Sequence, residues 1–285
     1  MSTTINFVDA GQGNMTLLQL DDGKVFMYDC NVAGDNENAV LGYIAKQIGW
    51  GAAINVFICS HRDADHMRGV KKVHEYFPIQ RIWDTGVTGT TPDSGEYDDY
   101  MDLRRRVGYR EVGARKRWDY GNTRLRIMNS KNDDLADDAN AQSIVIKVEH
   151  RDSKNDVTHD SVMLCGDTDA VTWQDIQTFY SNSDLSCSLV LGSHHGSITF
   201  FDDPGDDKHY YTDHIKAMAP AMTILSVGDN AHGHPDPKAI ELYEKYSSGS
   251  NKGNKLYRTD VQGNIRVKLK DGGGWTLDKN LAGRL

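Results

Sequence analysis

Asn55-Val-Phe-Ile-Cys-Ser60 runs straight into His61-Arg-Asp-Ala-Asp-His66. An apolar, β-type run stops, and four side chains of metal-ligand type follow within six residues. In an extended chain His61, Asp63 and Asp65 share one face. A bend after Asp65 brings His66 to the same side. Imidazole and carboxylate are ligands for zinc, manganese or iron. The plainer reading is a polar loop in which these residues coincide by chance. The rest of the chain argues against it.

Upstream, residues 4–8 read as a strand and Asp9-Ala-Gly-Gln-Gly-Asn14 as a glycine turn. Residues 15–20 and 24–28 read as a hairpin around Asp21-Asp22-Gly23, closed by Asp29-Cys-Asn31. Apolar residues at Val40, Leu41, Tyr43, Ile44 and Ile48 predict a helix over 37–48. Downstream, a helix over 67–76 is stopped by Pro78, and a strand follows over 79–83. Residues 85–120 are less regular. Further strands are expected at 123–128, 143–148, 160–165, 187–191 and 222–227, with an acidic loop at 132–138 between the first two. Helices are expected at 170–180, 207–218 and 236–246, and a last hairpin pairs 256–260 with 264–270. Two broadly similar halves, each alternating strand and helix, suggest an α/β fold: an αββα sandwich of two mixed sheets with outer helices, one domain over 1–285.

Composition narrows the function. Lys plus Arg number 32 and Asp plus Glu 41, a formal net charge of −9 over 285 residues. So acidic a chain is not a broad electrostatic glove for nucleic acid. Cations held at an acidic site would offset that charge locally, so a phosphodiester substrate stays open. Cys30, Cys59, Cys165 and Cys187 form no CxxC pair and read as reduced and structural, implying a cytoplasmic protein. The opening residues have no basic, then apolar, signal pattern. No apolar run approaches the ~20 residues of a membrane span.

Ligand-type residues recur at other strand ends: Asp167 in Gly166-Asp-Thr168, the pair His194-His195, and His232 with His234. In layered α/β folds the loops beyond strand ends gather on one edge and form sites. A lone Gly-Asp-Thr is weak, since Asp commonly caps the following helix. Four clusters in a row are hard to explain as caps and loops.

These motifs together resemble a known family. His61-Arg-Asp-Ala-Asp-His66 is similar to the His-x-His-x-Asp-His signature of the metallo-β-lactamase fold, with Asp63 in place of the second His. That variant resembles the hydrolase domain of the ComEC competence (DNA-uptake) proteins. Phe7-Val-Asp-Ala-Gly-Gln-Gly13, Leu164-Cys-Gly-Asp167, Ser193-His-His-Gly-Ser197, Gly233-His-Pro235 and Tyr257-Arg-Thr-Asp260 match in the same order, over roughly residues 4–270. The membrane channel of those proteins has no counterpart here.

The resemblance implies two divalent metal ions, zinc or manganese, with magnesium as a further option. By motif position His61 and Asp63 would hold one ion, Asp65 and His66 the other, and Asp167 would bridge them. His194 is the expected remaining ligand, with His195 behind it or acting as an acid, and His234 as competitor for either role. The ligand His that many relatives carry before the Gly-Asp motif is absent; that region reads Asn140-Ala-Gln-Ser143. Asp65, His195 and His234 are the catalytic candidates, and Ser193, Ser197 and His232 the candidates for meeting substrate. A carboxylate at Asp63 hardens the site, toward manganese or magnesium relative to zinc. Asp9 is expected to support the metal loop by hydrogen bonds.

Arg104-Arg-Arg106, Arg110, Arg115-Lys-Arg117 and Arg124 are interleaved with Tyr100, Tyr109, Trp118 and Tyr120. Such a stretch grips a polyanion, since arginine pairs with phosphate and rings stack on bases, or it is an ordinary solvated face with ion pairs. The expected activity is a phosphodiesterase or nuclease cleaving DNA or RNA with a metal-bridged hydroxide. The alternatives are a small-molecule hydrolase acting on a cyclic nucleotide, lactone or thioester, and a non-catalytic, metal-stabilised binding module.

Overall fold

The computed structural model describes residues 2–113, 115–129, 138–152, 154–206, 208–250 and 252–281. The acidic loop expected at 132–138 lies, except for Asp138, outside the described residues.

The first half begins β1 (Ser2–Phe7), β2 (Thr16–Gln19), β3 (Val25–Tyr28) and a two-residue β4 (Cys30–Asn31). Helix α1 (Glu37–Ile48), β5 (Val56–Ile58), α2 (Ala64–Met67), α3 (Val70–Tyr76) and β6 (Ile82–Asp84) follow. The stretch that looked irregular contains α4 (Gly95–Val107), β7 (Tyr109–Glu111) and β8 (Arg117–Tyr120). Ser94 caps α4 by accepting the Tyr97 N–H, and acidic Glu96 and Asp98 sit in its first turn, where the helix dipole favours them.

The second half runs β9 (Thr123–Ile127), β10 (Ile146–Asp152), β11 (Val157–Leu164), α5 (Ala170–Phe179), α6 (Asn182–Leu185) and β12 (Leu189–Leu191). Then come α7 (Asp213–Met218), β13 (Met222–Leu225), α8 (Pro237–Tyr246), β14 (Leu256–Arg258), α9 (Thr259–Gln262), β15 (Asn264–Lys270) and β16 (Trp275–Leu281). Helix α7 is shorter than the 207–218 expected.

These strands form an eight-stranded sheet ordered β16-β15-β1-β2-β3-β5-β6-β7 and a seven-stranded sheet ordered β14-β13-β12-β11-β10-β9-β8. Each is antiparallel at one end and parallel at the other. The expected last hairpin is a correction. β14 lies parallel to β13 in the second sheet, whereas β15 crosses over to pair antiparallel with β1 in the first. Its true hairpin partner is β16.

The sheets pack face to face. Ile5, Phe7, Phe26, Tyr28 and Ile58 of the first meet Leu125, Ile146, Val162, Leu164 and Leu191 of the second. The outer face of the first sheet is covered by α1, α3 and α4 through Tyr43, Ile44, Val73, Tyr100 and Leu103. The second is covered by α5, α7 and α8 through Trp173, Ile176, Met218 and Tyr243. The layers are αββα, as expected. The alternation of strand side chains puts one apolar set between the sheets and the other under the helices. The loops after β3, β5, β11, β12 and β13 all leave from carboxy-terminal strand ends, on one edge of the sandwich.

Candidate metal centre

Strand β5 ends at Ile58, and the His61–His66 motif folds back into the short helix α2. Arg62 is pinned by the buried Asp84 at the end of β6, with Nη2 to Oδ2 at 2.9 Å. The same carboxylate accepts from Tyr100 OH at 2.6 Å and Arg104 Nε at 2.6 Å. Burial alone would raise the Asp84 pKa, but the Arg104 and Arg62 guanidiniums outweigh it and hold the carboxyl below its ordinary value. From the amino-terminal glycine turn, the Asn14 amide donates to Asp65 O at 3.1 Å. Asn14 thus gives the support expected of Asp9, whose backbone N–H instead binds Asn264 Oδ1 at 2.8 Å.

A carboxylate that sequence reasoning assigned to a hairpin end organises the centre. Asp29, fully buried at the end of β3, accepts from Ser60 N at 2.7 Å and Ser60 Oγ at 2.8 Å, and its Oδ2 lies 2.8 Å from His66 Nδ1. Ser60 Oγ donates to Asp29, so it is an acceptor for His61 Nδ1, 3.0 Å away. His195 Nδ1 faces the Ser226 carbonyl at 2.7 Å. Carboxylate and carbonyl only accept, so these contacts place the ring hydrogen on Nδ1 and turn the Nε2 lone pairs inward. The backbone is held in an unusual shape for this. Asp29, His194 and His195 all have left-handed φ, at 59°, 48° and 53°. For a residue other than glycine that costs about 1–3 kcal/mol, and such strain gathers at functional sites.

The inward atoms converge. His66 Nε2 is 3.2 Å from Asp167 Oδ1 and 3.8 Å from Asp65 Oδ2. His195 Nε2 is 3.1 Å from Asp65 Oδ2 and 3.8 Å from Asp167 Oδ2. His61 Nε2 lies 3.7 Å from Asp63 Oδ2 and 3.9 Å from Asp167 Oδ2, and His194 Nε2 lies 3.7 Å from Asp167 Oδ2. Two groups, His61–His66–Asp167 and Asp65–His66–His195, each bring one ligand atom per residue within 4.8 Å of the others. Ligands held about 2.0–2.2 Å from one cation stand about 3–4 Å apart, which is the spacing seen. His61 Nε2, His66 Nε2 and Asp167 Oδ1 are buried with no hydrogen-bond partner. Buried polar atoms are almost always paired, so three orphans facing one another fit a cation. Asp167 offers one oxygen toward His66 and the other toward His61, His194 and His195.

Burial lowers the affinity of His66 for a proton, but Asp167, Asp29 and Asp65 outweigh it and raise its pKa well above the ordinary value. Burial likewise opposes ionisation of Asp167, yet the His66, His194 and His195 rings hold it well below the usual carboxylate range. Asp65 behaves the same way beside His66 and His195. His61 is lowered, first by burial and then by the His66 ring.

These residues open onto a cleft of about 450 Å³ that is also lined by Arg68, Thr90, Asn140, Asp229, His232 and His234. Asp63 lines it too, but its carboxylate is engaged by Thr90, with N to Oδ1 at 2.6 Å and Oγ1 to Oδ2 at 2.9 Å. The structure groups His195, rather than His194, with Asp65 and His66; His194 keeps its reach to Asp167 and is partly exposed. Ser193 and Ser197 are corrections. Ser193 Oγ is buried and donates to Gly166 O and Thr168 O, at 3.1 and 2.5 Å. Ser197 Oγ accepts from Thr199 N and Thr199 Oγ1. Neither lines the cleft. His232 and His234 do, their rings 6.1 Å apart. Asn140, in the region with no ligand His, places a buried, unpartnered Oδ1 beside the cleft. An orphaned amide oxygen is a structural signal with no sequence counterpart.

No protein-family model matches the sequence, and no curated protein matches it. Solved structures do match in shape. The metallo-β-lactamase fold protein YhfI from Bacillus subtilis is 10% identical over 94% of this chain and 100% of its own, with a TM-score of 0.52. Igni18, described as a metallo hydrolase from Ignicoccus hospitalis, is 11% identical over 94% of this chain and 100% of its own, with a TM-score of 0.51. CmlA from Streptomyces venezuelae, a diiron β-hydroxylase, is 13% identical over 94% of this chain and 54% of its own, with a TM-score of 0.53. The chain has the α/β metallo-β-lactamase fold with two mixed sheets.

Proposed function

We propose that this chain, on its metallo-β-lactamase fold, is a metal-dependent hydrolase that cleaves phosphodiesters, with DNA or RNA as the favoured substrate class. The observation that carries the metal reading is the trio of orphaned buried atoms, His61 Nε2, His66 Nε2 and Asp167 Oδ1. The motif resemblance to the ComEC hydrolase domain supports the nuclease part. When bound, two divalent cations supply Lewis acidity, lowering the pKa of water and offsetting negative charge that develops on the phosphoryl group.

The protein's own part is positioning. Asp29 and Ser60 fix two imidazoles and the Ser226 carbonyl a third, so the ligand atoms are in place before a cation arrives. Asp63, Asp65 and Asp167 bring carboxylates that favour harder cations, manganese or magnesium beside zinc. His195 holds its Nδ1–H on Ser226 O and sets Nε2 3.1 Å from Asp65 Oδ2, so it stands with the ligand atoms rather than as an acid. His232 and His234 line the cleft and are the imidazoles placed to exchange a proton with the leaving oxygen.

One observation favours a second reading. Arg68 is the one Lys or Arg lining the cleft among the described residues. A long polyanion takes more cationic contacts than that, so a small phosphodiester such as a cyclic nucleotide is the alternative substrate. The test incubates purified protein with single- and double-stranded DNA and RNA and with cyclic nucleotides, each with manganese, magnesium or zinc. Metal-dependent cleavage lost in Asp65→Ala supports the proposal, and the substrate cut fastest chooses between the readings. Failure to cleave any of them with any metal defeats it, as does cleavage unchanged by Asp65→Ala.

A further inference from the structure

The basic-aromatic stretch at 100–124 divides in the folded chain. Arg104 and Tyr100 turn inward onto Asp84, and Arg124 pairs with Asp119 at 2.7 Å. Arg110, Trp118 and Tyr120 go elsewhere. With Arg81, just ahead of β6, and Trp83 within it, they line a separate pocket of about 400 Å³, a size suited to a small molecule.

The pocket opens at the amino-terminal ends of β3, β5 and β6, opposite the metal centre, and shares no lining residue with the metal cleft. One wall is aromatic. The Trp83 and Trp118 rings lie 4.4 Å apart, centroid to centroid, and Phe26 packs edge-on beneath Trp83 and Tyr120 at 5.6 and 5.1 Å. The other wall is cationic. Lys24 is paired with Asp22, but neither Arg81 nor Arg110 has an ion-pair partner among the described residues, and both are exposed. Among the described residues no carboxylate lines the pocket. The indole N–H of Trp83, itself nearly fully buried, meets no acceptor.

We propose that this pocket binds a nucleotide unit, with the base against the Trp118 face and the phosphate on Arg81 and Arg110. Flat rings stack on bases of any identity, and paired guanidiniums are the preferred protein partner of phosphate. Two free arginines facing an indole wall, in a chain of net charge −9, call for an anion that is also flat and aromatic. The nucleotide comes either free or as part of a single strand. The inference stands apart from the hydrolase reading, because binding here involves no cation and no turnover.

The experiment titrates metal-stripped protein, in chelator, with AMP, adenosine, inorganic phosphate and a short single-stranded oligodeoxynucleotide, following tryptophan fluorescence and calorimetric heat. Saturable binding of AMP or the oligonucleotide is expected, weaker for adenosine and phosphate alone. Arg81→Ala with Arg110→Ala should weaken it roughly tenfold or more, the contribution of charge-assisted hydrogen bonds. Trp118→Phe should remove most of the fluorescence change while keeping the heat. Tighter binding of the oligonucleotide than of AMP identifies a strand as the source; equal binding identifies the free nucleotide. No saturation at millimolar ligand overturns the proposal, as does phosphate binding as well as AMP, or unchanged affinity in the double arginine variant. The arginines are exposed, so the variant should keep the wild-type circular dichroism and melting curve.

Discussion

Asp29 Oδ2 and His66 Nδ1 lie 2.8 Å apart, and the same oxygen takes the Ser60 hydroxyl at 2.8 Å, so one buried carboxylate sets the orientation of two imidazoles. Asn at position 29 keeps the shape and removes the charge. Asp29→Asn should weaken metal binding about 10–100-fold, the usual cost of losing the group behind a ligand His. Competition with a chromophoric chelator measures it. Affinity equal to wild type would show that Asp29 is only a structural residue.

Metal binding should release protons. With its pKa raised by Asp167, Asp29 and Asp65 against the pull of burial, metal-free His66 holds a proton at neutral pH that a cation must displace. Affinity should therefore rise with pH through the neutral range. Calorimetric titration with zinc or manganese at pH 7, in two buffers of different ionisation enthalpy, should show net proton release on binding; heats independent of the buffer would count against it.

Asp84 neutralises two buried guanidiniums, Arg62 at 2.9 Å and Arg104 at 2.6 Å. Asp84→Ala leaves Arg62 without its counter-charge and Arg104 with only the exposed Glu111, 3.3 Å away. The expected loss is about 3–5 kcal/mol of unfolding free energy, read from urea denaturation, because a broken buried pair strands its partner. Arg62 sits inside the metal motif, so metal affinity should fall in the same variant.

His214 is buried among Phe200, Phe201, Trp173 and Tyr211, with neither ring nitrogen hydrogen-bonded, and burial pushes its pKa down from 6.5 to about 3. The folded state thus excludes the proton that the unfolded chain accepts. Its contribution to stability is complete above pH 6.5 and is lost as pH falls from there to about 3, at up to roughly 1.4 kcal/mol per pH unit. His214→Phe should flatten that part of the stability–pH curve, measured by thermal unfolding between pH 7 and 4.

Much of the centre was legible because its residues follow apolar runs directly. Ile58 precedes the His61–His66 motif, Leu164 precedes Asp167, and Leu191 precedes the His194-His195 pair. Asp29 was not legible, since a single Asp after a strand is ordinary turn chemistry, and its partners lie 31 and 37 positions away. Ser193 and Ser197 misled for the opposite reason: a hydroxyl beside a histidine pair looks available, but here both are spent on local backbone and side-chain bonds. The layer order followed from the repeated strand–helix alternation. The β14-to-β15 crossover did not, because a short turn between two strand-like runs has the same composition whether they pair or part.

That crossover bears on how the protein is made. Ser2 pairs with Lys270 and Phe7 with Ile265, so on one side β1 meets β2 early, while its other edge waits for β15, far down the chain. On the ribosome the nascent chain therefore carries an open strand edge until the last hairpin emerges. An open edge will pair with any extended neighbour, and long-range closure of this kind is slow. Yield in the cell should consequently depend on translation speed and on holdase chaperones that shield the amino-terminal strand.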